Sequence, residues 1–103
     1  MAFTQSLAKL SSRTVMWRID FSARSEKFLK QNRIPKDDIL ELLSLSIKKF
    51  QGEKVNIDIK KMKEKWDEFH RIRKGEIRII AKFNFDNSSI FIDVIDWRGG
   101  AYK

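Results

Sequence analysis

The chain contains no cysteine, which excludes thiolate catalysis, cysteine-based zinc sites and disulfide bonds. Its single histidine, His70, cannot build a histidine-rich metal site, and no acidic residues at ligand spacing replace one. No apolar run approaches the ~20 residues needed to span a bilayer, and the N-terminus has no apolar signal-peptide core. We therefore expect a cytoplasmic protein that has no metal or other cofactor and does not bind a membrane.

Linker-forming residues are also scarce, with one proline and four glycines among 103 residues. This length is typical of a single domain, and a hydrophobic fraction of 42% is enough to fill its core. Residues 1–15 are polar at most positions and weakly periodic, so they are interpreted as an N-terminal extension, either a frayed helix or a disordered lead. Residues 16–103 are predicted to form the folded domain.

Acidic residues are outnumbered, with 14 Asp and Glu against 22 Lys and Arg and a formal net charge of +8. Such a field attracts polyanions over roughly 8–10 Å at physiological salt. A basic surface that served only solubility would have scattered cations. The arrangement of the cations therefore decides whether the charge binds a polyanion or only keeps the protein in solution.

Helix signals occupy the first half of the domain, after a strand-like alternation at residues 16–21. Ser22 is placed as the N-cap of a first helix that ends near residues 31–32. Pro35 is a favoured first-turn residue for a second helix, and Gly52 is placed to end it. The apolar stripe of this second helix comprises Ile39, Leu42, Leu43, Ile47 and Phe50.

Strand signals occupy the second half. After an irregular basic connector at residues 54–65, runs at 66–73, 76–85 and 89–97 are separated by turn residues and predict an antiparallel meander. The order of elements predicts an α+β fold, with two N-terminal helices packed on one face of a small, mostly antiparallel sheet.

A group of arginines follows the strand period. Arg71 and Arg73 share one face of the first strand of the meander, whereas His70 points to the other face and is interpreted as structural. Arg78 follows the turn and is expected to approach Arg73 across the hairpin. Grouped guanidinium ions can stabilise the extra negative charge of a phosphorane, which forms when the ribose 2′-hydroxyl attacks an RNA phosphate.

Two further residues after the last strand fit the same chemistry. Arg98 adds a cation, and cations near Tyr102 would lower its pKa so that the phenolate could act as a base. Glu68 and Glu76 are alternative acid–base groups, but they could also simply pair with surface arginines. By spacing alone, binding RNA without cutting it is at least as well supported as cleavage.

Two motifs resemble the RelE/ParE superfamily of toxins from toxin–antitoxin pairs, in its RelE-like branch. Residues 69–80 read FHRIRKGEIRII and are similar to the family's aromatic, basic, apolar, basic, Gly, acidic, Arg pattern. Residues 97–102 read WRGGAY and are similar to its closing Arg-x-x-x-Tyr. The resemblance covers about residues 16–102. It implies a compact sheet with two N-terminal helices on one side.

The resemblance also implies a function and partners. RelE-like members are endoribonucleases that cut messenger RNA on the ribosome and are neutralised by a cognate antitoxin in a hetero-oligomer. Carried over by position, Arg71, Arg73 and Arg78 hold the phosphate, Arg98 assists at the leaving side, and Tyr102 is the base. The basic connector residues Lys60, Lys61 and Lys63 help to grip RNA.

One departure from the family concerns Trp97, which stands where many members have a histidine before the closing arginine. Its indole either stacks on an RNA base or belongs to the core. Two other functions remain open beside the metal-independent endoribonuclease: a ParE-like poison of DNA gyrase, and a non-catalytic RNA-binding module.

Overall fold

The structure, a computed structural model, describes residues 16–97 and the backbone of residues 4–9. Its helices are α1 (Ala23–Gln31) and α2 (Lys36–Phe50). Its strands are β1 (Thr4–Lys9), β2 (Met16–Phe21), β3 (Asp58–Lys61), β4 (His70–Lys74), β5 (Ile77–Asn84) and β6 (Ser89–Trp97). A short 3-10 turn, Glu64–Trp66, lies between β3 and β4.

The strands form a six-stranded sheet in the order β1-β2-β6-β5-β4-β3. Every neighbouring pair is antiparallel except β2 and β6, which are parallel. A parallel pair needs a crossover connection, and here α1, α2 and the β3–β5 strands lie between its two members. The prediction of an α+β fold with two helices and a mostly antiparallel sheet is confirmed.

The core lies between one face of the sheet and the helices. On this core face Ile72, Ile79 and Ile95 are cross-strand neighbours on β4, β5 and β6, and each is at most 3% exposed. The helices contribute Leu29 from α1 and the α2 stripe of Ile39, Leu43 and Ile47. Burying a side chain of this size stabilises the fold by about 1.5–3 kcal/mol relative to leaving it exposed.

The caps explain where the helices begin. Ser22 Oγ accepts a hydrogen bond from the backbone N–H of Ser25 (3.2 Å) and donates one to the carbonyl of Asp93 (2.6 Å). The same hydroxyl therefore caps α1 and fastens its start to β6. Pro35 is the N-cap of α2 rather than its first residue, with Asp37 and Asp38 in the first turn complementing the helix dipole.

Three local expectations differ from the structure. The connector predicted to be irregular contains β3, a four-residue strand. Because most of its side chains are exposed, its sequence shows no alternation of apolar and polar residues. The strand expected at residues 66–73 begins at His70, after the 3-10 turn. Residues 4–9, expected within a frayed or disordered extension, form a strand because their backbone pairs with the edge of β2, from Thr4 against Phe21 to Lys9 against Met16.

Candidate functional site

The face of the sheet opposite the core carries, among other charged residues, a group of four cations on the neighbouring strands β3, β4 and β5. Lys60 lies opposite Arg71 across the β3–β4 pair, and Arg73 lies opposite Arg78 across the β4–β5 hairpin. Side chains directly opposite each other on antiparallel strands point to the same face. Lys60, Arg71, Arg73 and Arg78 therefore share one face of the sheet, which we call the cationic face. The expected approach of Arg78 to Arg73 is present in this register.

The arginines of β4 are held by Asp58 on the edge strand β3. Asp58 Oδ2 accepts hydrogen bonds from Arg73 Nη2 (2.8 Å) and Nε (3.1 Å), and it lies 3.5 Å from Arg71 Nη2. The hydrogen bond from Arg73 holds the pKa of the Asp58 carboxyl below its usual value, and the charge of Arg71 acts in the same direction. A carboxylate thus occupies guanidinium donors whose geometry also suits phosphate oxygens.

Arg78 is the most buried of these cations, at 8% exposure. It stands between Arg73 on β4 and Asp96 on β6, its two cross-strand neighbours. Charges in a poorly solvated position interact more strongly than charges in water. A negative group brought to this point of the cationic face would therefore gain more from Arg78 than from an exposed arginine.

His70 lies on the core face, as expected from the alternation. Its ring makes edge contacts with Phe50 (5.0 Å between centroids) and Phe83 (6.3 Å). Burial lowers the pKa of the imidazole below its usual value because the charged form is poorly solvated there, and the nearby charge of Lys61 lowers it further. These contacts agree with a structural role for His70.

The three connector lysines surround one depression beside Arg71, which also includes Met62 and has a volume of about 280 Å³. Lys60 belongs to the cationic face, whereas Lys61 lies opposite His70 and its ammonium donates to the carbonyl of Asp67. Lys63 is exposed just before the 3-10 turn. These positions provide positive charge at the border of the cationic face.

Trp97 is separated from the arginines. It lies opposite Ile77 on the core face of the sheet, is 41% exposed, and makes an edge contact with Phe28 of α1 at 5.3 Å between ring centroids. The other two predicted residues, Arg98 and Tyr102, lie outside the described residues. The structure therefore brings Arg71, Arg73 and Arg78 together and turns Trp97 to the opposite face.

An aromatic row that the sequence patterns did not predict lies beside the cationic face. Trp66 contacts Phe69 (5.2 Å between centroids), and Phe69 in turn contacts Phe91 (6.4 Å). The ammonium of Lys82 lies 5.8 Å from the centre of the Phe69 ring and 3.8 Å from the Glu68 carboxylate. The outward position of Phe91 could have been found from the unbroken apolar run at residues 90–92, because a strand with one solvated face would alternate.

Among known proteins, this chain has a match in fold but none in family model or curated sequence. No family model and no curated protein matches this chain. Among solved structures, a chain of the toxin–antitoxin complex RelBE2 from Mycobacterium tuberculosis matches with a TM-score of 0.52 and 16% identity. The match covers 78% of this chain and 95% of that chain. The chain therefore has the RelE-like fold that the sequence resemblance predicted.

No helix in the described part of the chain is both long enough and apolar enough to cross a bilayer.

Proposed function

We propose that this chain is the toxin of a toxin–antitoxin pair and that it cleaves messenger RNA on the ribosome without a metal ion. The observation that carries the proposal is the placement of Arg71, Arg73 and Arg78 on one face of the sheet, outside the core. Guanidinium groups suit this task because each presents several N–H donors in a fixed plane that matches phosphate oxygens.

In the proposed reaction the ribose 2′-oxygen attacks the adjacent phosphorus and its proton passes to the phenolate of Tyr102. The new bond from the 2′-oxygen to phosphorus forms as the bond to the 5′-oxygen breaks, which leaves a 2′,3′-cyclic phosphate. Arg71, Arg73 and Arg78 stabilise the charge on the non-bridging oxygens. Arg98 stabilises the leaving 5′-oxygen, which takes a proton from water.

The proposed partners follow from the charge of the molecule. A net charge of +8 and the lysines at residues 60, 61 and 63 suit the anionic surface of ribosomal and messenger RNA. The matched chain comes from a toxin–antitoxin complex. We propose that this chain, too, is neutralised by a cognate antitoxin in a hetero-oligomer.

The test is primer extension on messenger RNA after induction of the chain in cells, compared with Arg78→Ala. We expect breaks in phase with codons, and a loss of about 100- to 1000-fold in cleavage rate for Arg78→Ala, as for the removal of one transition-state donor. Arg78→Lys keeps the charge but not the planar fork, so its activity should lie between the two. Arg33→Ala removes an exposed arginine from the loop between the helices and is the control.

Other outcomes would identify the other functions. Intact message accompanied by double-strand DNA breaks would replace the proposal with a ParE-like gyrase poison. Message that is bound with a steep salt dependence but never cut would replace it with an RNA-binding module.

A further inference from the structure

A groove lies next to the cationic face, between α1 and the strands β5 and β6. One side of α1 lines it with residues spaced by three and four positions, and Trp66 forms another wall. The residues that matter here are Lys27, Phe28, Gln31, Trp66, Ile80 and Asp96. Its volume of about 490 Å³ is in the range of pockets that hold small organic molecules.

We propose that this groove binds a nucleobase of the RNA whose phosphate lies on the cationic face, an inference that rests on the proposed function. Two connections place the groove beside the arginines. Ile80 follows Arg78 by two residues on the same side of β5, a separation of about 7 Å along a strand. Asp96 is the cross-strand partner of Arg78. A base adjoining a phosphate held by Arg78 therefore reaches the groove.

The lining has the chemistry of a base site. Trp66 and Phe28 both line the groove with aromatic surface, and Ile80 adds an apolar contact. Base–aromatic stacking works for every base because each has a π-face. The Gln31 amide can donate to and accept from a base edge, and Asp96 can accept from an exocyclic amino group.

The charge at the rim favours a nucleotide over an apolar protein side chain. Lys27 is exposed and forms no ion pair within residues 16–97. Arg24, also at the rim, is anchored to Asp93 by an ion pair of 3.1 Å. An apolar side chain from a protein partner would leave Lys27 without a counter-charge, whereas the phosphate next to a bound base supplies one.

The experiment measures single-turnover cleavage on ribosomes programmed with synthetic messages. One message is unmodified, and others carry an abasic nucleotide on one side or the other of the cleaved phosphate. For the wild-type protein, one of the two abasic positions should slow cleavage by about 5- to 150-fold, the range expected for losing one stacked base. In Trp66→Ala that difference between messages should disappear, and in Trp66→Phe part of it should remain.

Effects of the abasic nucleotide on the ribosome itself are equal for all variants, so only the difference between variants counts. Phe85→Ala removes an exposed aromatic ring beyond the far end of β5 and should keep the wild-type sensitivity. If Trp66→Ala does not fold, as judged by circular dichroism, Gln31→Ala tests the same groove and should show a reduced sensitivity.

Three results would overturn the inference, and they separate it from the proposed function. Equal sensitivity to the abasic nucleotide in the wild type and in Trp66→Ala, with cleavage still dependent on Arg78, removes the base site and leaves the nuclease. If the sensitivities are equal and the antitoxin also fails to neutralise Trp66→Ala, the groove binds the antitoxin and not a base. No cleavage of any message by the wild-type protein removes both proposals.

Discussion

The contact between Asp58 and the two arginines of β4 leads to a quantitative prediction about RNA affinity. Asp58 Oδ2 takes hydrogen bonds from Arg73 and lies 3.5 Å from Arg71, and phosphate oxygens would use the same donors. A phosphate that uses these donors must displace this carboxylate. Asp58→Asn removes the competing charge with almost no change in shape, so it should tighten the binding of single-stranded RNA.

The size of the effect follows from the exposure of the pair. The Asp58 side chain is 52% exposed, and those of Arg71 and Arg73 are 20% and 28% exposed. Exposed ion pairs are worth about 0.2–1 kcal/mol each, so releasing both arginines costs the ligand about 0.4–2 kcal/mol. Removing that cost lowers Kd by about 2- to 30-fold. The gain should shrink at high salt, since salt screens the pair.

The assay is fluorescence anisotropy with a labelled 2′-O-methyl RNA oligonucleotide, which lacks the attacking hydroxyl and stays intact. Asp86→Asn makes the same change in net charge beyond the far end of β5, and six residues of strand, about 20 Å, already separate Arg78 from Asn84. It should therefore alter Kd much less than Asp58→Asn. Weaker binding by Asp58→Asn would refute the reasoning and would show that Asp58 orients the arginines for RNA instead of competing with it.

Three other substitutions test the remaining assignments. Tyr102→Phe should lower the single-turnover cleavage rate more than RNA binding, and full cleavage by this variant would end the role of Tyr102 as base. The pKa of His70 is lower in the folded chain than its value of 6.5 in the unfolded chain. The stability that neutral His70 contributes is therefore complete above pH 6.5 and is lost as pH falls through the pKa of the folded state. Urea unfolding of His70→Leu should therefore depend less on pH between 7 and 5, and an unchanged dependence would contradict this. Ser22→Ala removes the cap of α1 and its bond to β6, so its free energy of unfolding in urea should fall by about 0.5–2 kcal/mol, with an unchanged value arguing against the cap.

Local patterns in the sequence were sufficient for most secondary structure and for part of the candidate site. The α2 stripe was predicted because 3.6-residue periodicity is visible wherever one side of a helix is buried. The shared face of Arg71 and Arg73 was predicted because side chains alternate along a strand, and Arg78 followed from the short turn. The same alternation predicted that His70 points away from the arginines, and this prediction needed no information from the rest of the chain.

Features that depend on partners distant in sequence were decided only in three dimensions. Asp58 is paired with Arg73 because β3 adds to the edge of β4, and its four largely exposed residues carry no periodic signal of burial. Strand β1 depends in the same way on the free edge of β2, through backbone hydrogen bonds to which side-chain pattern is indifferent. The groove beside Arg78 forms only when α1 and β6 come together. That arrangement includes the parallel pairing of β2 with β6, which neither strand encodes alone.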